Sequence, residues 1–229
     1  MTWEWATQEA ASTPAARDAA RQTRPAKPPA RAAGREGRQD LSHRACTVNQ
    51  PPSSAPQSTQ PIPPDDPRRS LALARPDDAG SLPHVSVAGG TYTILLSGED
   101  TAGRYTLIDM YVPPGAGPLP HRHDFEEMFT VLEGELAFTF RGAPLVVRAG
   151  ETVNVPANAP HHFRNSSARP ARLLCMCTPP GQERFFAAVG DPVASRTAPA
   201  PPLSDAERAE RRARAAALAP QYRTELPTS

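Results

Sequence analysis

Between Pro83 and Thr178 the chain is cut into short runs of Val, Thr, Tyr, Phe and Leu, and each run meets Gly, Pro or Asn before it is long enough for a stable helix. Runs punctuated in this way fold as strands. We place them at 92–96, 104–112, 125–132, 135–141, 145–148, 152–155, 161–164 and 172–177. Glu133-Gly134 and Arg141-Gly142 supply turns between neighbours, and no repeat of solenoid length is visible. The expected fold class is therefore all-β, a sandwich or barrel.

The flanks have a different texture. Many of the 29 prolines fall in residues 1–82, a stretch otherwise rich in Ala, Ser and Arg, with no alternation and only a brief helical stripe over 10–20. Such a segment cannot bury enough apolar surface to offset the entropy of ordering it, so we expect a disordered arm. After the barrel region the pattern turns helical twice. Residues 182–189 suit a short helix with Gly190 as its C-cap, and Ser204-x-x-Glu207 forms a capping box for a helix over 205–219 that Pro220 stops. The expected organisation is an arm (1–82), a barrel (83–180) and a helical extension (181–222).

Composition narrows the class of function. A net charge of +1 offers no concentrated basic surface, so neither nucleic acid nor an anionic membrane is expected as a partner. No window is apolar enough to span a bilayer and the first residues lack a secretory apolar core, which leads us to expect a cytoplasmic protein. The three cysteines, Cys46, Cys175 and Cys177, are too few for a disulfide framework. Cys175 and Cys177 share one strand face and read as small buried hydrophobes.

Four of the six histidines lie between positions 121 and 162. His121 and His123 stand two apart, so an extended backbone puts both imidazoles on one side; Glu127 has the same parity and Glu126 the opposite one. The Pro156–Pro160 segment is a turn that could bring His161 opposite them, whereas His162 would face away. Three imidazoles and one carboxylate suit iron, manganese, nickel, copper or zinc rather than calcium or magnesium, which prefer oxygen cages. Four protein ligands leave positions open for a small molecule. His43 and His84 lie outside this set and read as exposed.

These residues resemble the cupins. Gly115, His121-x-His123, Glu127 and Gly134 match the spacing of the family's first motif, and Gly150, Pro156, His161 and Asn165 match the second, with Asn158 where the family usually has glycine. Asparagine tolerates the positive φ of such a turn better than other side chains. The resemblance implies a double-stranded β-helix (jelly-roll) barrel with His121, His123, Glu127 and His161 as metal ligands. The continuation through Thr178-Pro-Pro-Gly181 to Phe185-Phe186 is similar to bacterial quercetin-dioxygenase-like members. That implies a metal-dependent dioxygenase for an aromatic or enol-type small molecule, with Glu127 as catalytic proton acceptor. A non-catalytic small-molecule sensor and a metal-dependent isomerase are the alternatives. Phe125, Phe129, Tyr111, Phe138 and Phe163 are candidate pocket walls, although ordinary core packing accounts for each aromatic alone. Apolar residues on both faces of 173–177 lead us to expect a homodimer.

Overall fold

The computed structural model describes residues 61–226 apart from Ala79 and Ser81. Most of the arm expected over 1–82, together with His43 and Cys46, lies outside the described residues. The chain divides at Arg68. Residues 61–68 carry an Arg68–Asp66 ion pair and no strand or helix; the remainder forms the unit described below.

That unit contains β1 (His84–Val87), β2 (Gly90–Leu96), β3 (Thr106–Val112), β4 (Arg122–His123), β5 (Glu126–Glu133) and β6 (Glu135–Phe140). These are followed by β7 (Ala143–Arg148), β8 (Thr152–Val155), β9 (His161–Arg164) and β10 (Ala171–Thr178). Helix α1 (Gln182–Val189), β11 (Asp191–Pro192), α2 (Asp205–Leu218), a 3₁₀ turn (Ala219–Tyr222) and β12 (Thr224–Glu225) complete it. A seven-stranded sheet in the order β11-β1-β2-β3-β10-β5-β8 faces a three-stranded sheet, β7-β6-β9, and β12 pairs with β4 in a third. Every pairing is antiparallel. This is the jelly-roll arrangement the sequence led us to expect.

Alternation along each strand fills the space between the sheets. Glu127, Phe129 and Val131 of β5 are buried while Glu126, Met128 and Thr130 are half-exposed, and β10 buries Leu173, Cys175 and Cys177 in the same rhythm. Phe129 of the large sheet meets Phe138 and Phe163 of the small one with ring centroids 5.4 and 5.5 Å away. Truncating one such ring to alanine costs about 3–5 kcal/mol, so this trio is a main tie between the layers. The half-buried outward residues Leu174 and Met176 explain why 173–177 is apolar on both faces: β10 lies in the middle of the seven-stranded sheet, between β3 and β5.

Three features depart from the sequence reading. Gly190 does end α1, yet its φ is −83°, so the left-handed cap is not what selects glycine. A Cβ there would stand 2.8 Å from the Phe186 carbonyl oxygen and 2.9 Å from Val87, and close approach is the reason. His84 is buried, with Nδ1 2.7 Å from the Thr93 hydroxyl across the β1–β2 pair, and burial lowers its pKa. The two-residue strands β4, β11 and β12 are too short to leave an alternation in the sequence. Helix α2 has the expected capping box, Ser204 N–H donating to Glu207 and Glu207 N–H to the Ser204 hydroxyl. It buries no residue fully, and is tethered by Arg211, which donates to both oxygens of Asp191 at 2.7 and 2.8 Å. Among the described residues no helix is long and apolar enough to cross a membrane.

Candidate metal centre

Two distant stretches of chain deliver the candidate ligand residues. β4 and β5 carry His123 and Glu127; β9 opens with His161, forty residues after His121. His121 and His161 form an isolated antiparallel bridge, which brings the second stretch against the first. Ligating atoms of His121, His123, Glu127 and His161 all lie within 4.8 Å of one another, and all four residues are buried.

Each imidazole is oriented by its own backbone. Nδ1 of His121 lies 2.9 Å from the Leu119 carbonyl, that of His123 3.0 Å from Phe125, and that of His161 3.0 Å from Ala159. A carbonyl accepts only, so Nδ1 carries the hydrogen in each ring and the Nε2 lone pair is left for the centre. Glu127 Oε2 sits 2.9 Å from His123 Nε2 and 3.1 Å from His161 Nε2. Three imidazole lone pairs and a carboxylate directed at one point form a donor set suited to a borderline divalent ion. These residues fit a transition metal.

Burial and the pairing of Glu127 with the imidazoles act on these groups in opposite directions. Burial pushes Glu127 up, but hydrogen bonds and charge from His123 and His161 outweigh it and hold the carboxyl well below its usual range. Burial and the neighbouring His161 lower His121 to about 3, so this ring stays neutral and available as a ligand. Burial also lowers His161, yet hydrogen bonding and charge from Glu127 prevail and raise it.

The turn that presents His161 is built from both sides. Asn158 has φ 67°, the left-handed conformation expected of the position where the motif usually has glycine, and its N–H donates to the His123 carbonyl at 2.6 Å. Glu126, rejected as a ligand on parity, accepts from the Asn154 amide at 2.7 Å and from Ala157 N–H at 3.1 Å, tying β5 to the same turn. Gly117 runs so close to β9 that a Cβ would lie 2.2 Å from the Phe163 carbonyl oxygen, and its φ is 148°. Only glycine fits there.

The aromatic candidates divide. Phe125 stacks on His123 with centroids 3.9 Å apart and planes 3° from parallel, so it supports a ligand. Phe129, Phe138 and Phe163 are the core trio described above. Tyr111 is not brought to the site. It pairs with Arg172 in the β3–β10 ladder, whereas Met110 pairs with inward Leu173, so parity sends Tyr111 to the outer face. His162 likewise has the parity opposite to its buried neighbours His161 and Phe163.

Sequence reasoning missed two contributors. Cys175 Sγ lies 3.2 Å from Glu127 Oε1, and Cys177 Sγ lies 3.7 Å from the same oxygen. Shared parity was the available signal, since it placed both thiols on the inner face. The other contributor is the end of the barrel unit. β12 pairs Thr224 with His123 and Glu225 with Arg122; Arg223 Nε donates to Asp124, and Arg122 bonds Glu225. Nothing in the local pattern of 219–226 announces a strand.

Comparison with known proteins agrees with this geometry. Residues 108–177, which include His121, His123, Glu127 and His161, match the family described as the cupin domain. An uncharacterised protein of Methanocaldococcus jannaschii is 30% identical over 100 residues, 43% of this chain and 80% of that protein. Quercetin 2,3-dioxygenase of Bacillus subtilis is 30% identical over 133 residues, 54% of this chain, which spans 39% of the enzyme. The HTH-type transcriptional regulator PuuR of Escherichia coli is 27% identical over 121 residues, 53% of this chain, which spans 62% of the regulator. With the ligand geometry, the jelly-roll topology and these matches in agreement, the chain belongs to the cupin superfamily.

Proposed function

We propose that this protein is a metal-dependent dioxygenase acting on a small aromatic or enol-type molecule. The observation that carries the reading is the convergence of three Nε2 lone pairs and Glu127 on one buried point, in a chain similar over 54% of its length to a quercetin 2,3-dioxygenase. His121, His123, His161 and Glu127 would hold one divalent transition ion. Bound there, the ion would supply Lewis acidity toward a substrate oxygen and redox access to dioxygen.

The chain's own residues do the rest. The Glu127 carboxylate, held ionised, accepts the proton of the substrate hydroxyl. The three Nδ1–H to carbonyl bonds keep the rings from turning as the site fills, and Phe125 holds His123 from one face. Elemental analysis of the purified protein, followed by oxygen uptake with flavonol and β-diketone substrates, tests the proposal. Oxygen consumption with one of them, lost on removing the metal, is expected. A loaded protein that binds them without consuming oxygen would overturn it.

Similarity to a transcriptional regulator supports a second reading, a sensor in which the same centre holds a small ligand without turnover. Two further proposals accompany the first. Leu107, Met128, Leu174 and Met176 are half-buried neighbours on the outer face of the large sheet, a surface a second copy could cover in a homodimer. A reducing cytoplasm suits the free thiols of Cys175 and Cys177.

A further inference from the structure

We propose that Cys175 and Cys177 are positioning residues for Glu127: they engage Oε1 from behind, so that the carboxylate meets an ion through Oε2 alone. The inference rests on the metal-centre reading above and adds two residues outside the ligand set.

Register places them. In the β5–β10 ladder Cys177 stands opposite Glu127 and Cys175 opposite Phe129, all on the inner face. Cys175 Sγ donates to Oε1 at 3.2 Å; Cys177 Sγ is 3.7 Å from Oε1 and 3.6 Å from Cys175 Sγ, so the two thiols form a short donor chain ending on one oxygen. The other oxygen, Oε2, is the one directed at His123 and His161. The carboxylate therefore has two unlike sides, imidazoles on one and sulfur on the other.

Chelation through both oxygens would have to turn Oε1 off the thiol and toward the histidines. Both cysteines are fully buried and Glu127 is 2% exposed, so no solvent is at hand to replace the lost partner. The thiols thus hold the carboxylate to a single donor and keep a coordination position open beside it. As mere apolar filler, the sulfurs could be exchanged for any group of similar size without effect on the ligand geometry.

That contrast sets the experiment. The protein is loaded with Co(II), whose visible d–d absorption weakens as coordination number rises, and wild type is compared with Cys175→Val, which fills the space without a donor, and Cys175→Ser, which keeps one. Cys175→Val is expected to lose about two-fold or more of the d–d intensity at full Co(II) occupancy, as the freed oxygen joins the ion, with Cys175→Ser close to wild type. A valine spectrum superimposable on wild type, or serine behaving like valine, would overturn the inference. Should Cys175→Val fail to fold, Cys175→Ala is judged by the same spectrum. Wild type that takes up no Co(II) would sink the metal-centre reading itself, a separate failure.

Discussion

His121 and His161 exchange both backbone hydrogen bonds, each N–H donating to the other's carbonyl at 3.0 and 2.9 Å. The two halves of the ligand set are thus joined by main chain before any side chain contributes. It follows that His161→Ala should abolish metal binding while leaving the barrel assembled. Expected values are under about 0.2 ion per chain and a metal-free melting temperature lowered by several degrees, since alanine leaves a cavity at a buried position and takes one partner from the buried Glu127 carboxylate. Elemental analysis and a thermal melt check both. Retained stoichiometry would show that His161 is not a ligand.

Glu127 is the only acid among the four proposed ligands, and its replacement separates holding the ion from doing chemistry. Glu127→Gln keeps an oxygen of the same reach but no proton acceptor. Ion affinity should fall by roughly 10–100-fold, as for other perturbations around metal ligands, yet saturation at high metal should remain attainable. Oxygen uptake by the saturated variant should vanish. Undiminished turnover would remove Glu127 from the reaction.

Asn158 occupies a left-handed turn at φ 67°. Asn158→Gly should be neutral or mildly stabilising, whereas Asn158→Val should cost about 1–2 kcal/mol, because branching at Cβ crowds the left-handed backbone and the polar side chain that tolerates it is lost, lowering the melting temperature by roughly 2–8 °C. The His161 turn would suffer first, so metal affinity is expected to weaken with stability in the valine variant and not in the glycine one.

The tether of α2 is pH-dependent. The hydrogen bond from Arg211 holds Asp191 below the usual carboxylate range, against burial, which pushes it up. A carboxyl lowered by folding stabilises fully above its unfolded value, about 3.9, and ceases to do so as pH falls through the folded value. Amide protection in α2 should therefore decline below pH about 4, ahead of β5 and β10. In Arg211→Met, protection should already be low at neutral pH and change less on acidification.

The outer face of β10 carries the dimer proposal. Light scattering of the purified protein should give twice the chain mass, and Met176→Arg should halve it while leaving the fold intact by circular dichroism. A monomer at micromolar concentration in the wild type would rule this surface out.

Strand parity made the cluster readable from sequence: spacing put His121, His123 and Glu127 on one side, and the structure brings His161 to the same point, a group that could hold a metal ion. The same rule failed for Tyr111 because position along β3 was not counted against β10, whose register alone fixes which way residue 111 faces. Cys175 and Cys177 were placed on the correct side, but their contact with Glu127 depends on the β5–β10 alignment, which single-strand periodicity does not contain. His84 reads as exposed from its own segment because its cover comes from Thr93 and from the β1 pairing with β11, where Val85 meets Pro192. Two-residue strands such as β4 and β12 carry no periodicity at all.

The pairing of Thr224 with His123 sets a temporal order on biosynthesis. Arg122 and His123 leave the ribosome with their partners still unmade, and β4 gains its neighbour only after residue 225 has been translated. The strand that covers His123 is thus the last element of this unit to be made, after the barrel strands and both helices.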